Sequence, residues 1–172
     1  MLAATLAAMF AVAPAAPARA AGMLPGASAK EPYKVDAAKL DYFDKEQKLV
    51  YTGDVIAAQG ATKVRASAMT IYLDKAAADS SQASVRRIEL KGPVTVVQKD
   101  KTGTGDSGVY DRKENKWYLI GNVTLTEGTD VTRGDRLIYD LGSSRAMVEG
   151  GRSGRVQSVF TPRDSTKPAP KN

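Results

Sequence analysis

The chain of 172 residues contains neither cysteine nor histidine. Without cysteine it can form no disulfide and no thiolate metal site. Without histidine it lacks the side chain that most often serves as a general base and as a metal ligand. Aromatic residues are also few, at 6% of the chain. The usual tools of an enzyme are missing, and the sequence predicts no catalytic residue, no metal site and no cofactor.

Long apolar runs are missing as well. The alanine-rich run at 2–12 carries no charge, but it is too short to span a bilayer as a membrane anchor. It precedes the small-residue site Ala18-Arg19-Ala20, which is typical of a secretory signal peptide cut after Ala20 or Ala21, although no Lys or Arg precedes the run. We therefore expect 1–21 to be a cleavable signal peptide and the mature protein to be exported and soluble.

A cassette of similar residues recurs four times along the rest of the chain. The tyrosines of the four copies are Tyr42, Tyr72, Tyr110 and Tyr139, and the glycines are Gly53, Gly92, Gly121 and Gly150. Tyrosine and glycine lie 11 residues apart in three copies and 20 apart in the second, which carries a small polar insertion at 76–84. A period near 30 residues indicates one supersecondary unit stacked on copies of itself.

Period-two alternation of apolar and polar residues surrounds these glycines, and helical periodicity is nowhere sustained. Strands are predicted at 49–57, 88–96 and 117–125, with returning strands at 64–73, 108–111 and 136–141. A glycine inside a strand marks a bulge or a bend, so the sheet should turn a corner at the same place in each repeat. We predict one all-β domain at 33–160, flanked by a flexible leader at 22–32 and a disordered basic tail at 161–172.

One face of the predicted strands is consistently apolar, because residues two apart share a face. In the third copy this face carries Trp117, Leu119, Val123 and Leu125, opposite Tyr118, Ile120, Asn122 and Thr124. The equivalent positions are Ile88, Leu90, Val94 and Val96 in the second copy, and Leu49, Tyr51, Val55 and Ala57 in the first. Taken alone, this pattern favours an ordinary sandwich core.

Two motifs that suggest catalysis are weak. The string Gly103-Thr-Gly-Asp-Ser-Gly108 matches a dinucleotide-binding pattern, but a strand rather than a helix follows it, so a turn is predicted. The same string resembles a loop around a serine nucleophile at Ser107, which would need the histidine that the chain lacks. A serine–lysine pair stays open in principle, although no spacing points to one.

Charge and acidic residues give no specific site either. The net charge is +6, with a pI near 9.5, and falls to +5 when Arg19 leaves with the signal peptide. Predicted export counts against nucleic acid as the partner, and dispersed basic residues are typical of a solvated surface. Asp36, Asp41 and Asp44 lack the glycine and closing glutamate of a calcium loop.

Several stretches of the chain resemble the lipopolysaccharide transport protein A family, also called OstA-like. They are YTGDVIAAQG at 51–60, KVRASAM at 63–69, GNVTL at 121–125, RGDRLIY at 133–139 and GRVQSV at 154–159. The similarity spans about 31–162, which is nearly the whole predicted mature chain. Its order and spacing make the resemblance specific.

This resemblance implies a periplasmic protein with an OstA-like β-jelly roll, an open V-shaped groove of antiparallel strands. It implies that lipopolysaccharide slides along the groove, with lipid A acyl chains inside and sugars outside, driven by ATP hydrolysed elsewhere. It also implies a bridge between an LptC-like inner-membrane protein and an LptD-like outer-membrane protein. Head-to-tail self-association would build such a bridge, and the unpaired edges of the open sheet that the resemblance implies favour it.

The predicted lipid A site consists of positions that match groove-lining places in the family, together with the apolar face of the third copy. They are Tyr33 and Val35 at the entrance, then Val55, Val94, Val96, Tyr110, Trp117, Leu119, Val123, Leu125 and Tyr139. Three alternatives are a structural β-repeat protein without a lipid, an LptC-like or LptD-like relative, and an exported hydrolase using Ser107. The LptC-like relative would need a retained membrane helix, and the LptD-like one a large carboxy-terminal barrel.

Overall fold

The computed structural model of the chain describes residues 24–25, 27, 31–74, 85–151 and 154–162. The predicted signal peptide at 1–21, the insertion at 76–84 and the tail from 163 onward lie outside the described residues. Within the described part, no helix is long and apolar enough to cross a membrane.

The described residues form ten strands and one short 3-10 helix. The elements are β1 (Tyr33–Asp36), β2 (Lys39–Phe43), the 3-10 helix (Asp44–Glu46), β3 (Lys48–Gln59), β4 (Thr62–Leu73), β5 (Val85–Gln98), β6 (Lys101–Asp111), β7 (Lys116–Glu127), β8 (Asp130–Asp140), β9 (Arg145–Glu149) and β10 (Gln157–Val159). They make one antiparallel sheet in the order β1-β3-β4-β5-β6-β7-β8-β10, with β2 also on β3 and β9 also on β8. The predicted all-β jelly roll, open rather than closed, is confirmed.

Three of the four repeat glycines form bulges at equivalent places in β3, β5 and β7. Gly53, Gly92 and Gly121 have φ angles of 83°, 82° and 80°, a region that side chains other than glycine rarely adopt. At each one the register shifts, so that two residues of the glycine strand face one residue of the next strand. The bulges therefore recur along one line across the sheet, as the sequence predicted.

The two edges of the sheet are interrupted at the same line. At one edge β1 and β2 pair with different halves of β3, and the Ala38 amide between them donates to the Gly53 carbonyl over 3.0 Å. At the other edge β9 and β10 pair with different halves of β8. Gly150 follows β9 and so lies at a strand break instead of a bulge.

The line of bulges divides the sheet into two parts, which we call limbs. The first limb comprises 39–52, 68–73, 85–91, 107–111, 116–120 and 136–149, and the second comprises 33–36, 55–66, 94–105, 123–134 and 157–159. Buried apolar residues of both limbs belong to one core cluster, which includes Ile88 and Leu90 of the first and Val64 and Val94 of the second. The apolar faces of the limbs therefore share a single core.

On the strands opposite the bulges, the residues that point inward switch from even to odd numbers or the reverse. Strict alternation along the strand does not predict this switch. In β4 the buried positions are Thr62, Val64 and Ala66, and then Met69 and Ile71, because Ser67 lies opposite a bulge and is exposed. Tyr72 therefore points outward, where its hydroxyl donates to Glu89 Oε2 over 3.3 Å. The four repeat tyrosines are thus not structurally equivalent.

The glycine string at 103–108 lies inside β6, so the predicted turn is wrong. Gly103 and Gly105 face the core, Asp106 lies opposite a bulge, and Gly108 faces the core again. Most residues of the string are paired with β5 and β7, and a strand rather than a helix N-terminus surrounds them, so the string does not have the geometry of a phosphate loop.

Part of the predicted flexible leader packs against the sheet. Leu24 is fully buried, and Ala27 is also in the core cluster. The Leu24 amide donates to Gln59 Oε1 over 3.0 Å, and Thr62 Oγ1 donates to the Pro25 carbonyl over 2.7 Å. Apolar burial and two hydrogen bonds therefore place Leu24 and Pro25 beside the β3–β4 turn.

Candidate functional site

An apolar cavity of about 440 Å³ lies between the two limbs. Trp117, Leu119 and Tyr139 line it from the first limb, and Val96 and Leu125 from the second. The other lining residues are Pro25, Gln98, Lys99, Asp100, Lys101, Gly103, Glu127, Leu137, Ser144 and Ala146. Because both limbs contribute, the cavity is a groove along the inside of the folded sheet.

Strand register brings the apolar walls of this groove together. Val96, Gly103 and Leu125 lie side by side on β5, β6 and β7, and they form the wall in the second limb. In the first limb Trp117 pairs with Tyr139. The Trp117 ring also stacks on Tyr110, with ring centroids 5.5 Å apart, and this contact fixes the orientation of the indole in the wall.

The inward positions of β6 at 103, 105 and 108 are glycines, so a strip of bare backbone without side chains runs along the inside of the sheet. A Cβ atom added at Gly103 would lie 3.1 Å from Leu119 Cδ1, and one at Gly108 would lie 3.1 Å from Leu90 Cδ1. Leucine side chains of the neighbouring strands therefore pack against the backbone of these glycines. Gly103 also lines the cavity, which is deeper there because no side chain fills the space.

Charged side chains surround one end of the cavity. Lys99 and Asp100 form the β5–β6 turn, Lys101 begins β6, and Glu127 ends β7. Lys101 Nζ lies 3.0 Å from Glu127 Oε1, and this hydrogen bond raises the pKa of Lys101. The site therefore combines apolar walls with a polar rim, which suits an amphiphile better than a fully polar ligand.

All eleven residues of the predicted lipid A site have positions on or beside the apolar face. Five of them line the cavity: Val96, Trp117, Leu119, Leu125 and Tyr139. Four others are buried core residues outside the cavity lining: Val55, Val94, Tyr110 and Val123. Tyr33 and Val35 lie on β1 and pack against the core. Among the five lining residues, Val96, Leu125 and Tyr139 are partly exposed, whereas Trp117 and Leu119 line the cavity but are themselves nearly covered by protein, at 3% and 4% exposed.

The sequence-based site omits the polar rim and also four lining residues without polar side chains. Leu137 and Ala146 lie on β8 and β9, while Gly103 and Pro25 were assigned to a turn and to the leader. Leu137 could have been found from Tyr139, because residues two apart share a face. No sequence signal marked Pro25, since its position depends on the hydrogen bond from Thr62.

Buried tyrosines support the apolar character of this face. Burial raises the pKa of Tyr33 far above the ordinary tyrosine range, and the Tyr33 hydroxyl contacts Met69 Sδ at 3.7 Å. Burial also raises the pKa of Tyr110. An ionised phenolate is disfavoured at both positions, because the surroundings do not replace its hydration.

A larger depression of about 530 Å³ lies elsewhere and is lined mainly by charged residues. Arg87 bonds to both Glu89 and Asp111, at 2.8 and 3.1 Å, and Arg112 contacts Asp74 at 3.4 Å. An acyl chain placed there would remove these charges from water without replacing their hydration. Of the two cavities, the apolar one is the better candidate for a lipid.

Ser107, the serine of the hydrolase alternative, lies away from the groove. It is on β6 between the bulge position Asp106 and the inward Gly108, and it pairs with Lys91 and Ile120. Among the described residues, no cluster of acidic side chains has the arrangement needed to hold a metal ion.

Comparisons with known proteins give consistent results. The sequence profile described as "LptA/(LptD N-terminal domain) LPS transport protein" matches residues 34–145. An uncharacterized protein of Rhizobium meliloti (strain 1021) is 30% identical over 135 residues, covering 77% of this chain and 72% of that protein. The lipopolysaccharide export system protein LptH of Pseudomonas aeruginosa is 28% identical over 135 residues, covering 78% of this chain and 75% of LptH.

A solved structure resembles the fold. The crystal structure of Pseudomonas aeruginosa LptH, described as the LptA homologous periplasmic component of the conserved lipopolysaccharide transport device, matches with a TM-score of 0.65. The match covers 77% of this chain and 97% of the LptH chain at 22% identity. At this identity the likeness concerns the fold alone.

Proposed function

Because the chain belongs to the LptA/LptD N-terminal family of lipopolysaccharide transport proteins, we propose that it binds lipopolysaccharide in the apolar groove and carries it across the periplasm. The acyl chains of lipid A occupy the cavity between the limbs, and the sugars remain outside. The protein acts as a conduit, without chemistry of its own, and ATP is hydrolysed by other components of the pathway.

The observation that carries this proposal is the cavity between Val96 and Leu125 on one side and Trp117, Leu119 and Tyr139 on the other. These walls come from two limbs of an open sheet, so an acyl chain can enter from the side. Each methylene group taken out of water contributes about 0.8 kcal/mol, and several chains can therefore bind well without specific polar contacts. Non-directional contacts of this kind also let the lipid move along the groove.

The polar rim suits the other part of the ligand. Lys99 and Lys101 lie at the mouth of the cavity, where a negatively charged head group of an amphiphile would come to rest. Lys101 also contacts Glu127, so only part of its charge is available to such a group. This rim therefore adds modestly to an affinity that the apolar walls dominate.

The proposal also includes contacts with other copies of the chain and with proteins of the two membranes. Stacking of copies head to tail would join their sheets edge to edge and continue the apolar lining from one copy to the next. An LptC-like protein of the inner membrane would meet one end of the stack, and an LptD-like protein of the outer membrane the other. The supporting observation is that both edges of the described sheet carry exposed apolar side chains, among them Leu40 at one edge and Val159 at the other.

Photocrosslinking in cells tests the function directly. A photoreactive amino acid at Val96 should give adducts with lipopolysaccharide, because Val96 lines the cavity. The matched control is Asn122, which is exposed on the opposite face and donates to Asp106 Oδ2 over 2.8 Å. Adducts would be detected by a mobility shift that reacts with antibody against lipopolysaccharide.

The two positions give an interpretable contrast. Adducts at Val96 and their absence at Asn122 would support both the groove and its orientation. A folded, exported protein without adducts at Val96 would contradict the proposal and favour a structural β-repeat protein without a lipid ligand.

A further inference from the structure

The leader segment, which we define as Leu24, Pro25 and Ala27, covers one end of the groove. Leu24 has 0% exposure and Ala27 has 7%, although neither residue belongs to a strand of the sheet. Pro25 itself lines the cavity together with Val96 and Gln98. The segment therefore ends the cavity on the side of the β3–β4 turn.

Two hydrogen bonds join the described residues of this segment to the β3–β4 turn. The Leu24 amide donates to Gln59 Oε1, and Thr62 Oγ1 donates to the Pro25 carbonyl, at 3.0 and 2.7 Å. The Ala27 amide donates to the Leu24 carbonyl over 3.1 Å and closes a turn within the segment. Leu24, Pro25 and Ala27 belong to none of the strands of the described sheet, so their displacement would leave the pairing of those strands intact.

The polar partners of the segment are themselves buried at the turn. Gln59 is 3% exposed and Thr62 is fully buried, and they end β3 and begin β4. Gln59 Nε2 also donates to the Glu31 carbonyl over 3.0 Å, which ties the chain just before β1 to the same point. A second attachment at 31 would keep the segment close to the groove after it leaves the cavity.

We propose that the leader segment is a displaceable internal occupant of the groove, which acyl chains of the bound lipid replace. This inference rests on the proposed function. Pro25 and an acyl chain cannot fill the same part of the cavity, so the protein exists either with the segment inside or with the groove extended toward the β3–β4 turn. Because only the second state accepts a long chain, the segment lowers the apparent affinity by the fraction of time it is inside.

Such an occupant has two physical consequences. It protects the apolar end of the groove from water when no lipid is present. It also helps the lipid to leave, because the returning segment replaces the contacts that the departing chain gives up. A carrier that must pass its cargo onward benefits from both effects.

Variants of the segment should bind more tightly. Leu24→Ala shortens the occupant, and Thr62→Val keeps the side-chain shape but removes the hydrogen bond to Pro25. Trp117 is the only tryptophan of the chain and lines the cavity, so its fluorescence reports on rough-type lipopolysaccharide added to the full mature protein. We expect the dissociation constant to fall by about threefold or more for Leu24→Ala and by about twofold for Thr62→Val.

The outcomes separate this inference from the proposed function. If Leu24 belonged to the binding wall instead, Leu24→Ala would weaken binding, and that result would overturn the inference alone. Equal binding by the wild type and both variants would also overturn it. Binding by neither the wild type nor the variants would overturn the inference and the proposed function together, whereas binding by the variants alone would support both.

A labelling experiment follows the movement itself. The chain has no cysteine, so a thiol introduced by Leu24→Cys is the only site for a maleimide. Lipopolysaccharide should raise its labelling rate by about fivefold or more if the segment leaves the groove. The control is Lys63→Cys on the exposed face of β4, whose rate should not change. A rate at position 24 that stays constant or falls on adding lipid would contradict displacement.

Discussion

The two ends of the sheet, around β3 and β4 and around β7 and β8, carry apolar residues of similar character, but they use them differently along the groove. Near β3 and β4 the inward residues Val55, Ala57 and Val64 are buried, and Leu24 belongs to the same core cluster. Near β7 and β8 the inward residues Leu125 and Tyr139 remain accessible from the cavity. The same alternating pattern thus makes a protein core at one end and an open apolar wall at the other.

This difference shows that apolar periodicity identifies which face of a strand is apolar, but not whether protein or a ligand covers that face. Val94 and Val96 are two residues apart on β5 and point to the same side. Val94 is 1% exposed and belongs to the core, whereas Val96 lines the cavity. What covers a residue depends on the strands and leader around it, which the alternation does not encode.

The largest expected effect comes from placing a charge in each region. Val123→Asp should lower the free energy of unfolding by about 3 kcal/mol or more, because Val123 is 1% exposed and a carboxylate there would lose its hydration. Val96→Asp should leave the far-UV circular dichroism spectrum intact and weaken lipopolysaccharide binding by about tenfold or more. Thermal unfolding and Trp117 fluorescence measure the two effects.

These two variants refine an expectation from the sequence. The sequence places both valines in the wall of the groove, so a charge at either position is expected to abolish lipid binding without unfolding the protein. Equal stability of the two variants would contradict the division into core and wall. Val96→Leu is the matched control, because it keeps the wall apolar and should retain binding.

An intermediate effect is expected at the two sheet edges, where the proposed stacking takes place. Val159→Ser with Phe160→Ser changes one edge, where these residues are 61% and 70% exposed, and Leu40→Ser with Tyr42→Ser changes the other. Each pair should raise the dissociation constant for self-association by about tenfold, which sedimentation velocity can measure. Stability should change little, because all four side chains are exposed.

A mixture of the two edge variants sharpens this test. One intact edge from each variant can still form one head-to-tail contact, so the mixture should give a mixed dimer that neither variant forms alone. Ile120→Ser on the outward face is the control and should associate like the wild type. Failure to form the mixed dimer would argue that the copies do not associate head to tail.

The smallest effect concerns pH at the covered end. Burial raises the pKa of Tyr33 in the folded protein, so the unfolded chain loses this proton first when the pH rises above about 10. The stability that Tyr33 contributes is therefore complete below that pH and is lost above it, with a slope of up to about 1.4 kcal/mol per pH unit. Tyr33→Phe should be less steep than the wild type in denaturant titrations from pH 9.5 to 11.

Matched titrations isolate Tyr33 from the other groups that ionise in this range. The slopes of wild type and Tyr33→Phe should agree below pH 9 and separate above it. Identical slopes throughout would mean that Tyr33 is accessible to water.

The sequence predicted the fold class, the family and the three bulges, because each depends on local signals. Glycine at a positive φ angle and period-two alternation both act over a few residues, and Gly53, Gly92 and Gly121 have the same conformation in the structure. The family resemblance, confirmed by the match over 34–145, rests on longer stretches of the same strands.

The inward positions of the returning strands, the place of the glycine string and the position of the leader residues could not be predicted, because they depend on contacts with neighbouring strands. On β4, β6 and β8 the residues Ser67, Asp106 and Asp135 lie opposite bulges of other strands, and there the inward parity changes. No feature of these three residues alone signals the change. The glycines of 103–108 were read as a turn for a similar reason, since only the leucines of neighbouring strands explain why side chains are absent there. Leu24 and Pro25 needed the three-dimensional position of Gln59 and Thr62 to be placed at all.

The recurring bulge also makes the groove extendable in whole units. Each repeat adds two antiparallel strands, which advance the sheet by about 10 Å at the usual strand spacing. The bend falls on the same line in β3, β5 and β7. Inserting or deleting one repeat would therefore change the length of the groove while preserving its cross-section. Evolution can thus adjust the reach of such a protein by duplicating about 30 residues, without redesigning the surface that the cargo touches.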